Sequence, residues 1–170
     1  MEFKIDSHQE EYLNSVNFME NRVNEIIKGL SSDLIWFVNY PSIYTFGPQT
    51  VESDLKIKDL FPVYETSRGG KLTYHGPGQR TVYLMIDLTK RTKDIKKFVR
   101  KIELVILKTL SFYSIEGELN NDHHGVFVQK NMRAHKIASI GLKFKKWTSF
   151  HGFSINVRTQ LENYRGIKPC

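Results

Sequence analysis

The sequence predicts an α+β fold, a single domain with a mixed β-sheet flanked by helices. Three observations predict it. Two segments carry apolar residues at helical spacing, and shorter strand-like runs lie between and after them without strict βαβ alternation. A length of 170 residues with 40% hydrophobic composition suits one domain with a sizeable core. The one cysteine, Cys170, permits no intrachain disulfide, so packing must hold the fold.

Tyr12, Val16, Met19, Val23, Ile26 and Leu30 step by four and three residues, which predicts a first helix. Ser7 and Glu10 fit a capping box at its start. Residues 34–38 form a short apolar run, read as a buried strand. "YPSIYTFG" (40–47) follows as a strand with turn residues at both ends, and residues 63–66 as another. "RGGKLTYHGPGQ" (68–79) reads as a long, flexible polar insert between strands, and "TVYLMIDL" (81–88) as the most strand-like segment of all. Ile95, Phe98, Val99, Ile102, Val105, Ile106, Leu110 and Tyr113 mark the buried face of a second helix, with lysines over the other face. Residues 125–129 predict a short strand. Residues 137–143 and 150–157 predict a hairpin around "KKW", and "TQLENYRGIKPC" a helical turn and a loop. These strands and helices point to one mixed sheet.

The net charge is +7 and the isoelectric point about 9.4. The charge is uneven: residues 56–101 hold twelve Lys/Arg against four Asp/Glu, residues 130–147 six against none, and residues 1–33 three against seven. This asymmetry suits an acidic partner for the later part of the chain, although solvated lysines on a basic protein would look the same. No nucleic acid is expected, because the aromatics do not interleave with lysines in an RNA-binding pattern. No membrane span is expected either, since no apolar run approaches the roughly 20 residues one needs. The N-terminus has no hydrophobic signal region, and the expected location is cytoplasmic.

Several chemistries are open to a glycine-rich loop. A phosphate-binding loop or a dinucleotide fingerprint would lead from a strand into a helix. Here the loop runs into a strand, and no Gly-Lys-Ser/Thr follows, so both fail. Two readings remain. One is a long hairpin loop with glycines at its tight turns. The other is a ligand loop, in which small residues admit the ligand to backbone N–H groups while Arg68, Thr73, Tyr74, His75 and Gln79 orient it.

"RGGKLTYHGPGQRTVYLMIDL" resembles the signature of lipoyl(octanoyl) transferases, the octanoyl-acyl carrier protein:protein N-octanoyltransferases. "YPSIYTFGPQT", "GVFVQKNMRAHKIASIGLKFKKWTSFHGFSINV" and "LENYRGIKPC" resemble the family's other core segments, in the same order and spacing. The resemblance implies a biotin/lipoate ligase-like catalytic domain over residues 1–170. It also implies that a further stretch, which in the family follows the cysteine, is missing, with activity weakened by the loss. The implied reaction moves an octanoyl group from octanoyl-acyl carrier protein to a lysine of lipoyl domains, those of 2-oxoacid dehydrogenase E2 subunits and of the glycine cleavage H protein. It needs no cofactor.

The resemblance further implies Cys170 as a nucleophile that carries the acyl group as a thioester, and Lys136 as its partner. An ammonium near the thiol favours the thiolate, and a desolvated lysine can take a proton from the attacking amine. Arg68, Gly69, Gly70, Lys71, Leu72, Thr73, Tyr74 and His75 match an acyl-binding loop. Ser139, Ile140 and Gly141 match a second binding segment, and Gly152, Phe153 and Ser154 a third. The glycine-flanked amides suit an oxyanion site, and Tyr74 and Phe153 suit an apolar slot, with core packing an alternative for each. For His75 a structural role in holding the loop is the main expectation. His123 and His124 beside Asp122 lack a second ligand cluster, so a polar loop is expected and not a metal site. Lys145, Lys146 and the lysines of the second helix are candidate contacts for an acidic carrier protein. Two other readings stay open: an ATP-dependent lipoate or biotin ligase, and a binding protein without turnover.

Overall fold

The computed structural model describes residues 1–120 and 124–169. In chain order the elements are β1 (Glu2–Gln9), α1 (Tyr12–Ile27), β2 (Leu34–Asn39), β3 (Ile43–Phe46), β4 (Val63–Glu65), β5 (Thr73–His75) and β6 (Gln79–Met85), followed by α2 (Ile95–Phe112), β7 (Glu118–Leu119), β8 (Val126–Lys130), β9 (Arg133–Lys145) and β10 (Thr148–Asn156). Short 3₁₀ turns lie at Glu52–Asp54 and Leu161–Gly166.

There are two sheets where one was expected. The larger has the order β1-β2-β6-β10-β9-β8-β7, and the smaller the order β4-β3-β5. Both are mixed: β1 runs parallel to β2 and β4 parallel to β3, while the remaining pairs are antiparallel. The two helices lie on opposite faces of the large sheet. Strand alternation turns Trp36, Tyr83, Met85 and Phe150 toward Met19, Val23 and Ile26 of α1. The alternate residues Val82, Leu84 and Ile86 meet Ile102, Ile106 and Leu110 of α2.

Helix α1 begins later than the sequence suggested. Ser7 lies in β1, where the chain pairs with β2, so it caps nothing. The N-cap is Glu11, with no side-chain cap bond. The helix also ends earlier. Gly29 takes a φ of 74°, its N–H donates to the Ile26 carbonyl, and the Leu30 N–H donates to the Glu25 carbonyl. This is the two-bond closure that a left-handed glycine permits, and it leaves Leu30 exposed. In α2 the buried stripe is narrower than the apolar spacing implied. Ile102, Ile106 and Leu110 are buried, whereas Ile95, Val105 and Tyr113 are exposed. Asp94 caps this helix by accepting from the Lys97 N–H at 2.9 Å.

Both β8–β9 and β9–β10 turn through two residues. Lys130 pairs with Arg133 around Asn131 and Met132, and Lys145 pairs with Thr148 around Lys146 and Trp147. All four turn residues have positive φ, the conformation that matches a hairpin's right-handed twist. The stretch 68–79 is not a flexible insert. It contains β5, and Leu72 and Tyr74 are buried with Tyr44 and Ile167 in a separate small core. No described helix is long and apolar enough to cross a membrane.

Candidate active site

Beyond Ala138, β9 outruns its neighbour β8 and leaves one side of its backbone open. The glycine segment occupies part of that side, where the Gly69 N–H donates to the Leu142 carbonyl at 3.1 Å. Two other glycines make this approach possible. A Cβ at Gly141 would lie 3.0 Å from Arg68 Cδ and 3.2 Å from the Gly69 oxygen, and one at Gly47 would collide with the Gly70 and Arg68 carbonyls. Arg68 clasps the loop from within. Its guanidinium donates to the Thr45 carbonyl and Oγ1, each at 2.9 Å, and to the Gly69 carbonyl at 3.0 Å.

Loop and strand enclose a cavity of about 830 Å³. It is lined consecutively by Ser139, Ile140, Gly141 and Leu142. Successive strand residues point to opposite faces, so the cavity wraps the free edge of β9. Gly152, Phe153 and Ser154 of β10 line it as well, as do Arg68, Gly69, Gly70, Lys71, Leu72 and Thr73 of the loop and His75 of β5. Ile95 and Val99 of α2 extend the apolar wall.

Lys136 and His124 also line the cavity, while Asp122 and His123 lie outside the described residues. The Lys136 ammonium sits 5.3 Å from the centre of the Phe127 ring. Lys136 pairs with Phe127 and Ala138 with Val126, so Ile137 is an extra residue bulged out of the ladder. Bulges re-aim the neighbouring side chains, and this one adjoins the lysine. Gly125, at φ 120°, leaves room for the lysine stem, whose Cδ and Cε would lie 3.5 Å from an added Cβ. Among the described residues no group of His, Cys, Asp or Glu is arranged to hold a metal ion.

Two open expectations are narrowed. Tyr74 does not line the cavity. It is fully buried in the small core, where its hydroxyl meets Ser42 Oγ at 2.9 Å and accepts from Asn163 Nδ2 at 2.8 Å. The Gly69 N–H is engaged with Leu142, so it serves to fix the loop and not to hold an oxyanion. Cys170 lies outside the described residues, and its chain neighbour Pro169 lines the cavity.

His75 and His151 are neutral. His75 Nδ1 lies 2.7 Å from Gln79 Oε1. The Gln79 amide nitrogen points to the Tyr74 carbonyl, Asn156 Oδ1 and the Tyr164 hydroxyl, which fixes the amide so that its oxygen accepts from His75. Burial, and then the Arg68 charge, lower the His75 pKa to about 4. His151, absent from the sequence-based candidates, also lines the cavity. Burial first, then Arg68, Lys143 and His75, lower its pKa to about 3.

Residues 11–169 match the lipoyl protein ligase A/B catalytic domain family. The chain is 42% identical to the octanoyltransferase of Anaplasma phagocytophilum over 171 residues, covering all of this chain and 82% of that one. It is likewise 42% identical to the octanoyltransferase of Ehrlichia chaffeensis, covering 80% of its length. Among solved structures, P. falciparum LipL1 in complex with lipoate superposes with a TM-score of 0.73 at 17% identity, over 98% of this chain. This chain spans about half (51%) of that one. Lipoate-protein ligase A bound with ATP superposes at 0.64 and 17% identity, over all of this chain and 73% of its own.

Proposed function

The chain belongs to the lipoyl protein ligase A/B catalytic domain family, and we propose that it is an acyltransferase moving an octanoyl group onto a lysine of lipoyl domains, the first step of protein lipoylation. The observation that carries this reading is the 42% identity to octanoyltransferases along the whole chain. The cavity supports it. Leu72, Ile140, Leu142, Phe153, Ile95 and Val99 give an eight-carbon chain an apolar lining. At ~0.8 kcal/mol per buried CH₂, seven carbons beyond the carbonyl gain about 6 kcal/mol of binding.

In this reading the donor is octanoyl-acyl carrier protein. The Cys170 thiolate attacks the thioester carbonyl, forms an octanoyl-cysteine and releases the carrier's sulfur as a thiolate, which takes a proton from the Lys136 ammonium and leaves as the thiol, with Lys136 now neutral. The acceptor lysine amine then attacks the octanoyl-cysteine. The new C–N bond forms as the C–S bond breaks, and the proton from the amine passes to Lys136. An ammonium at Lys136 also favours the thiolate before the first step. Exchange between thioesters is nearly balanced and formation of the amide is downhill, so no ATP enters.

Intact-protein mass after incubation with octanoyl-acyl carrier protein tests this. The parent gains one octanoyl group, labile to hydroxylamine, and Cys170→Ser gains none. The Lys136→Ala variant passes the group to a lipoyl domain at least tenfold more slowly. An unmodified parent that instead forms an octanoyl-adenylate with ATP overturns the reading in favour of a ligase.

A further inference from the structure

His151 sits in mid-strand with a φ of 59°, a left-handed conformation that costs a non-glycine residue about 1–2 kcal/mol. The consequence is a change of side. Regular alternation along β10 puts Phe150 and Gly152 toward α1 and the residue between them toward α2. Instead, the His151 ring stacks on Phe150, with centroids 5.2 Å apart, and meets the Tyr83 ring edge-on at 6.1 Å. Both of those rings belong to the core on the α1 side. The left-handed backbone thus swings the imidazole into the cavity wall.

The ring is 3% exposed and takes no hydrogen bond from any described residue. Among the described residues, the buried side-chain polar atoms left without a partner belong to Thr50 and Thr159, so the His151 nitrogens are not sealed off without one, and the ring lines the cavity. A strained backbone that brings a polar ring to the cavity wall points to a ligand there. The surroundings define its chemistry. Burial first, and then the Arg68 charge, keep the ring uncharged, while the walls are largely apolar. A neutral imidazole beside an apolar slot suits a carbonyl oxygen at the end of a hydrocarbon chain.

We propose that His151 is a substrate-facing residue that donates a hydrogen bond to the carbonyl oxygen of the bound acyl group. The bond strengthens as that oxygen gains negative charge under attack. The inference rests on the acyl-transfer reading for its catalytic consequence, but binding can be tested separately.

Octanoyl-pantetheine labelled with ¹³C at the carbonyl is bound to Cys170→Ser protein, and the carbonyl stretch is read by infrared spectroscopy. The expected result is a shift to lower frequency on binding. It is lost in His151→Phe, which keeps the stacking, and in His151→Gly, which relieves the backbone. His151→Asn tolerates the left-handed backbone and retains a donor, so it keeps part of the shift. With Cys170 intact, the Phe and Gly variants form octanoyl-cysteine about tenfold to a hundredfold more slowly in kcat, with KM little changed. A shift that is absent with native His151, or equal in the Phe and Gly variants, overturns the proposal. A His151-dependent shift in protein that never transfers the octanoyl group would leave this site standing and remove the transferase reading instead.

Discussion

His75 and His151 are held neutral for the same two reasons, burial first and the Arg68 charge second. The sign of the resulting pH dependence follows. An unfolded histidine gains its proton near pH 6.5, whereas in the folded chain His75 waits until about 4 and His151 until about 3. Between those limits the unfolded chain binds more protons, so stability is intact above about pH 6.5 and falls as the pH drops. At ~1.4 kcal/mol per pKa unit, each histidine withdraws about 2 kcal/mol by pH 5. Calorimetry should find the thermal midpoint several degrees lower at pH 5 than at pH 7, with a shallower slope in His151→Asn. Of this pair only His75 was legible in the sequence, because it lies inside a recognisable motif. His151 was not: alternation along "TSFHGFSIN" turns it to the wrong face, and only the backbone angle reveals otherwise. For Tyr74 the sequence left slot lining and core packing both open. Its place in the motif suggested ligand contact, while its buried hydroxyl network makes it part of the small core.

The longer strands and both helices were readable because apolar residues recur at fixed steps over many residues. Short elements give too few repeats. β5 has three residues, and its flanking glycines resemble an insert. β1 is an edge strand whose Phe3 and Ile5 remain exposed, so burial does not enforce its pattern. The hairpin carrying Lys136 offers a test at this scale. Its turn uses Asn131 and Met132, both at positive φ, and Met132 is fully exposed. Asn-Gly is the preferred pair for such a turn. Met132→Gly should therefore stabilise the protein by up to about 1 kcal/mol, raising the thermal midpoint by about 2–4 °C. The octanoyl-cysteine yield should stay at the parent level, since Met132 is absent from the cavity wall.

Across the whole molecule the large sheet divides the basic surface. Lys145 hydrogen-bonds to Asn24 of α1 at 2.7 Å, whereas Lys96, Lys97 and Lys101 belong to α2 on the opposite face. The sequence suggested both groups as candidate contacts for an acidic partner, and charge along a chain does not disclose which side of a sheet it lands on. Each group has a chain neighbour on the cavity wall, Ile95 beside Lys96 and Phe144 beside Lys145.

The chain's two tryptophans fall on equally different ground. Trp36 is 2% exposed, with the Lys4 ammonium 4.1 Å above its ring and its indole N–H donating to Asp6. Trp147 sits at the tip of the β9–β10 hairpin, 40% exposed. The protein therefore contains its own pair of optical probes. A dissolved quencher such as acrylamide should extinguish the Trp147 emission and spare Trp36, leaving a bluer spectrum. In Trp147→Phe, emission alone then reports the integrity of the α1 layer, without any dye attached.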